Sequence, residues 1–151
     1  MVTTPHHLAS EAGLSILKEG GNAIEAAVAV AACLAVVYPH MNSIGGDGFW
    51  LVAEPGGETW GVDARGRAAA RADLALYTSE GLNSIPWRGP LAANTVAGTV
   101  SGWKSALDKA GGHLSLERIL RDAIQHAEAG VAVTAAGAEI SRSKFNDLRA
   151  I

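Results

Sequence analysis

Apolar residues recur at helical spacing from the start of the chain. Ala9, Ala12, Gly13, Ile16 and Leu17 predict a helix over residues 5–19, with Thr4 placed to cap it and Pro5 suited to its first turn. Gly20-Gly21 stops it. Asn22 then opens a second helix as its N-cap, with Glu25 in the capping-box position. This helix, Ala23 to Val37, is apolar on nearly every face and so expects neighbours on several sides; Pro39 ends it. The pattern then changes. Phe49-Trp50-Leu51-Val52 is continuous and bulky, which predicts a buried strand over Gly48 to Ala53. Glu54-Pro55-Gly56-Gly57-Glu58 has the chemistry of a turn, and Thr59 to Asp63 reads as the partner strand of a hairpin. Residues 64–95 are less regular, with a short helix expected around Asp73 to Ser79 and a loop through Pro86 and Pro90. Ala97 to Ala110 and Leu114 to Gly130 read as helices, the latter with Ile119, Leu120, Ala123, Ile124 and Ala127 on one face, and residues 134–151 continue in helical style. Helix, helix, strand, strand, helix, helix is the order of a layered α+β fold, not of a βαβ wheel.

The longest apolar run, Ala26 to Tyr38, falls short of the ~20 residues that cross a bilayer, so no membrane anchor is expected. Met1 to His7 lacks the basic start and apolar run of a signal peptide, which leaves the compartment open and favours the cytoplasm. A formal charge of −3 with no basic cluster gives no support for a nucleic-acid partner or an acidic membrane. The single cysteine, Cys33, excludes an internal disulfide and sits mid-helix, where an inert buried thiol is expected. Small residues are unusually frequent, with 18 glycines and 29 alanines in 151 positions. Backbones can approach closely in such a chain, but few large side chains are left to build a core that stands alone.

The candidate chemistry is sparse. The histidines at positions 6, 7, 40, 113 and 126 join no Cys, Asp or Glu at ligand spacing, so no metal and no cofactor is expected. A Gly-x-Ser-x-Gly nucleophile elbow is missing from the sequence. Ile44-Gly45-Gly46-Asp47-Gly48-Phe49 is rich in glycine but leads into a strand and carries no Lys-Ser or Lys-Thr pair, so a tight turn in which the glycines admit positive φ and close backbone approach is a better reading than a phosphate cradle. Val62-Asp63-Ala64-Arg65-Gly66-Arg67 puts two arginines just past a predicted strand. Arginine suits a bidentate carboxylate clamp, but taken alone the segment reads better as a solvated strand end.

Three segments taken together change this balance. Leu8-Ala9-Ser10-Glu11-Ala12-Gly13 with Leu17-Lys18-Glu19-Gly20-Gly21-Asn22-Ala23-Ile24-Glu25-Ala26-Ala27-Val28-Ala29 resembles the start of the γ-glutamyltransferase (γ-glutamyltranspeptidase) family. Pro39-His40-Met41-Asn42-Ser43-Ile44-Gly45-Gly46-Asp47-Gly48-Phe49 resembles that family's Pro-His-x-x-x-Ile-Gly-Gly-Gly-Gly-Phe segment. Val96-Ala97-Gly98-Thr99-Val100-Ser101-Gly102 resembles its Val-Pro-Gly-Thr-Val-Ala-Gly stretch.

The resemblance implies part of an N-terminal nucleophile hydrolase, an α/β/β/α four-layer sandwich made as a precursor that cleaves itself into a large and a small subunit. It also implies acyl transfer from a small-molecule amide through a Thr acyl-enzyme, the new N-terminal Thr using its own amine as base. Residues 1–151 correspond to the N-terminal portion of the large subunit, an incomplete domain without the catalytic small subunit. No catalytic residue is therefore expected in this chain, and Thr3-Thr4 are not the nucleophile. The expected partners are the remainder of the large subunit and the small subunit. One binding role carries over. The family's Asp-x-Arg-Glu-x-Ala-Pro becomes Asp63-Ala64-Arg65-Gly66-Arg67-Ala68-Ala69, which gives Arg65 the role of binding the donor α-carboxylate, with Arg67 as runner-up. Gly66 stands in place of Glu and Ala69 in place of Pro, with Arg67 as a second arginine; Asp47 in place of a glycine and the aromatic Trp50 also resemble a divergent branch that includes oxamate amidohydrolase-like proteins. The oxamate-type hydrolysis they imply is the alternative to γ-glutamyl transfer or hydrolysis. A non-catalytic scaffold or interaction domain is the alternative of another class.

Overall fold

The computed structural model describes residues 1–149. Helix α1 spans His7–Lys18 and α2 spans Ala23–Val37. The hairpin follows, with β1 at Gly48–Ala53 and β2 at Thr59–Ala64, then the short helix α3 at Leu74–Ser79 and a single 3₁₀ turn at Pro90–Ala92. Four helices follow among the described residues: α4 at Thr99–Ala110, α5 at Leu116–Ala129, α6 at Ala135–Ser143 and α7 at Phe145–Arg149. The expected α+β class and element order are observed. The expected helical stretch over 134–151 is two helices, and its last two positions lie outside the described residues.

Helix α2 is the centre of the fold, packed between α1 and α5, with α4 touching it as well. Val28, Ala29 and Cys33 meet Ala9, Ala12 and Ile16 from α1 and Ile119 from α5 in one core. Burial pushes the Cys33 thiol, with Asp122 adding to the effect, up to about 11, as befits an inert side chain. The small residues do what their number suggested: a Cβ on Gly13 would lie 2.6 Å from Val30 Cγ2, so α1 and α2 approach across it.

The ends of α2 follow from its caps. Asn22 Oδ1 accepts from the Ile24 and Glu25 amides at 2.9 Å each, and Glu25 Oε2 accepts from Asn22 N at 2.7 Å. Glu25 also reaches across to α5, where its Oε1 accepts from Leu114 N at 2.7 Å. Helix α5 starts at Leu116 and not at residue 114, because Ser115 has extended backbone and caps it, its Oγ accepting from Arg118 N. Arg118, buried on the first turn of α5, donates through Nε to Glu19 Oε2 at 2.6 Å and through Nη2 to Ser15 Oγ at 2.7 Å, so it ties α5 to α1.

Three expectations are corrected by the structure. Thr4 does not cap α1, and residues 5 and 6 lie outside the helix. Thr4 Oγ1 is already engaged with His6 O and Ser10 Oγ, and the cap is His6, whose Nδ1 accepts from Leu8 N at 3.3 Å. Nor is β1 buried. Its exposure alternates, with Phe49 69% and Leu51 84% exposed. The two strands pair antiparallel from Gly48↔Ala64 to Ala53↔Thr59, and α4 covers only the face that carries Trp50 and Ala64. Among the described residues no second layer covers the other face. Ile124 and Ala127, expected on the packed side of α5, are likewise exposed.

The His6 cap makes the fold acid-sensitive. His6 is 5% exposed, and burial, then the neighbouring His7 and His126, hold its pKa below the ordinary 6.5. Its Nδ1 accepts only while it is unprotonated. A folded pKa below the unfolded one contributes stability above about pH 6.5 that is lost as pH falls through the folded value. Thermal melts should therefore show a lower melting temperature at pH 5.5 than at pH 7.5. His6→Asn, which caps without titrating, should flatten that part of the dependence; an unchanged slope would contradict it.

Candidate functional site

The glycine-rich loop before β1, the end of β2 and the start of α4 converge on one junction. Its hub is the Gly46 carbonyl, which accepts from Gly98 N and Thr99 N at 2.9 Å each and from Thr99 Oγ1 at 2.7 Å. The first amides of a helix have no partner within it, and here the loop supplies one. This also explains why α4 starts at Thr99 and not at Ala97. Thr99 Oγ1 lies 3.1 Å from the Asp47 carbonyl as well.

Glycine is required at this junction for proximity. Gly45, Gly46 and Gly48 all lack positive φ, so the turn does not use their conformational freedom. Close approach is used instead: a Cβ on Gly48 would sit 3.3 Å from Thr99 Cα, and one on Gly102 would sit 2.6 Å from Ala64 Cβ. At Gly98 a Cβ would run into the Ala64 carbonyl, which packs α4 directly on the end of β2.

The backbone carrying the two arginines is gripped on both sides. Asp47 Oδ1 accepts from Gly66 N at 2.8 Å, Val96 N donates to Arg67 O at 2.9 Å, and Ala68 bridges Thr95. The Arg65 side chain, by contrast, is 74% exposed. Among the described residues its one ion pair is with Asp63, Nε to Oδ2 at 3.1 Å, while Asp63 Oδ1 accepts from Arg65 N at 3.2 Å. Asp63 thus holds the root and one edge of the guanidinium, on a rigid base, with the side chain otherwise open to solvent. Arg67 is exposed too and has no ion pair among the described residues. A cleft of about 320 Å³ opens on the other side of Asp47, between Trp50, Thr99, Trp103 and the α2 residues Val30 and Leu34; neither arginine lines it.

Sequence reasoning singled out Arg65 and Arg67 but not their supports. Asp63, two residues before Arg65, has the local spacing of a side chain bonding its own backbone and was legible in principle. Thr99 and Asp47 act across 53 and 19 residues, and no local pattern carries such contacts. No helix is long and apolar enough to cross a membrane among the described residues, and no three His, Cys, Asp or Glu side chains gather there around a possible metal position.

With this geometry in place, comparison with known proteins is informative. The model of the family described as gamma-glutamyltranspeptidase matches residues 9–150. The chain is 54% identical over 153 aligned positions to the oxamate amidohydrolase proenzyme of Klebsiella pneumoniae, covering 99% of this chain and 29% of that protein. It is 40% identical over 143 positions to the glutathione hydrolase proenzyme of Bacillus subtilis, covering 92% of this chain and 24% of that protein. The crystal structure of Helicobacter pylori gamma-glutamyltranspeptidase superimposes with a TM-score of 0.86 at 37% identity, over 95% of this chain and 42% of that one. The chain therefore spans less than a third of the length of these curated relatives.

Proposed function

This chain belongs to the gamma-glutamyltranspeptidase family, and from that premise we propose that it forms the first portion of the large subunit of a proenzyme acting on amides whose acyl group bears a free carboxylate. In this reading residues 1–151 contribute donor binding and no catalytic group. A Thr nucleophile further along the full-length protein attacks the amide carbonyl, the amine or ammonia departs, and water or an acceptor amine releases the acyl group from the Thr oxygen. The remainder of the large subunit and the small subunit complete the fold. The bare outer face of the hairpin, with Phe49 and Leu51 exposed, supports this need for further layers.

The observation that carries the proposal is the Arg65 arrangement: a guanidinium on a fixed backbone, steadied at Nε by Asp63 and otherwise open. A planar fork of this kind matches a carboxylate bidentately. The donor is a γ-glutamyl amide or a related carboxylate-bearing amide. Oxamate, whose carboxylate adjoins the amide directly, is a second reading, supported by the 54% identity to an oxamate amidohydrolase proenzyme and by the departures at Asp47 and Gly66.

The test is product release by the full-length protein, as p-nitroaniline from a γ-glutamyl anilide and as ammonia from oxamate. One of the two should turn over. The 151-residue chain by itself should release neither above a blank. Turnover by the short chain would overturn the assignment of the nucleophile, and inertness of correctly processed full-length protein toward both donors would favour a scaffold role.

A further inference from the structure

Asp47 joins the glycine loop to the segment that carries Arg65, and its place there is specific. The loop is fixed to α4 through the Gly46 carbonyl, whose three donors come from Gly98 and Thr99. From that fixed point the Asp47 side chain spans to β2 and accepts from Gly66 N at 2.8 Å. Gly66 in turn passes so close to Val96 that a Cβ there would collide with the Val96 carbonyl. Asp47 and Gly66 are therefore partners in one contact across 19 residues. With a glutamate at position 66 the backbone could not take this path, and with a glycine at position 47 the amide of residue 66 would lose its acceptor.

We propose that Asp47 is a positioning residue for donor binding: by accepting the Gly66 amide proton it sets the backbone from which Arg65 meets the donor carboxylate. The inference rests on the reading of Arg65 as the carboxylate clamp. Asp47 itself touches no donor atom. Its side chain is exposed, so truncating it opens no cavity, and its effect is felt in donor affinity through Arg65.

The experiment uses full-length processed enzyme and whichever of oxamate and γ-glutamyl-p-nitroanilide turns over faster. Asp47→Ala should raise KM about fivefold with kcat within about twofold of wild type, the loss expected for one charge-assisted hydrogen bond at an exposed site. Asp47→Asn keeps an oxygen acceptor and should stay within about twofold in KM. In an Arg65→Ala background, Asp47→Ala should add nothing, because the group it positions is gone. Unchanged KM in Asp47→Ala, a loss confined to kcat, or the same factor in both backgrounds would each overturn the proposal. So would failure of both Asp47→Ala and Asp47→Ser to give folded, processed enzyme, which would make the residue structural. If Arg65→Ala raises KM and Asp47→Ala does not, only the role of Asp47 falls; if Arg65→Ala leaves KM unchanged, the clamp reading falls and takes this proposal with it.

Discussion

Arg65→Ala in the full-length enzyme should lower kcat/KM for its donor by about 10- to 100-fold. A charge-assisted bidentate contact contributes roughly 1.5–3 kcal/mol, and each ~1.4 kcal/mol is one decade in rate or affinity. The value belongs to the complex, where donor and protein exclude water from the contact. In the free chain the side chain is 74% exposed and its ion pair with Asp63 is a surface pair that contributes little to stability. The fold should therefore survive the substitution, and self-cleavage of the precursor should proceed, since the role proposed for Arg65 is in donor binding and not in processing. Arg65→Lys keeps the charge but loses the fork, so steady-state kinetics should show only partial recovery. Arg67→Ala should have a smaller effect. A drop of two decades in Arg67→Ala with wild-type kinetics in Arg65→Ala would exchange the roles of the two arginines.

Glu25→Ala should destabilise the protein by about 3 kcal/mol, read as a shift of the urea midpoint. Glu25 is fully buried on α2, and each of its oxygens takes a backbone amide: Asn22 N on Oε2 and Leu114 N on Oε1, both at 2.7 Å. Truncation strands both donors and removes the link from the start of α2 to the start of α5. Glu25→Gln keeps the shape but turns an amide NH₂ toward one of the two N–H groups, so an intermediate loss is expected. Burial pushes the carboxyl upward, but the Asn22 and Leu114 amides, with His113, outweigh it and hold the pKa below 4.5. A depressed folded pKa means stability that is present above about pH 4.5 and lost as pH falls through the folded value. Wild type and Glu25→Ala should thus converge in stability at strongly acidic pH. A constant gap across that range would contradict the account.

What could be read from the sequence was what local chemistry determines. Helix α2 was predicted with its observed ends because Asn22, Glu25 and Pro39 all act within a turn of them. The hairpin was legible from Glu54 to Glu58, where turn residues separate two apolar runs. The misses lie where another residue took the role that the local pattern suggested. The start of α5 was set two residues early because Ser115 caps it. Thr4 lost the cap of α1 to His6 because its hydroxyl is engaged with Ser10. Burial of β1 was over-read, because a continuous apolar strand calls for cover on both faces and α4 covers one. At the site the arginines stood out by type and position, while Asp47 acts through a contact that no periodicity reveals.

The central claim is that Arg65 recognises the carboxylate of the donor. It is tested most directly by comparing the donor with an analogue whose carboxylate is replaced by hydrogen or methyl, in wild-type and Arg65→Ala full-length enzyme. The account predicts that wild type prefers the carboxylate-bearing donor in kcat/KM by at least about tenfold and that Arg65→Ala erases most of this preference. An Arg65→Ala enzyme that still discriminates between the two as strongly as wild type would contradict it.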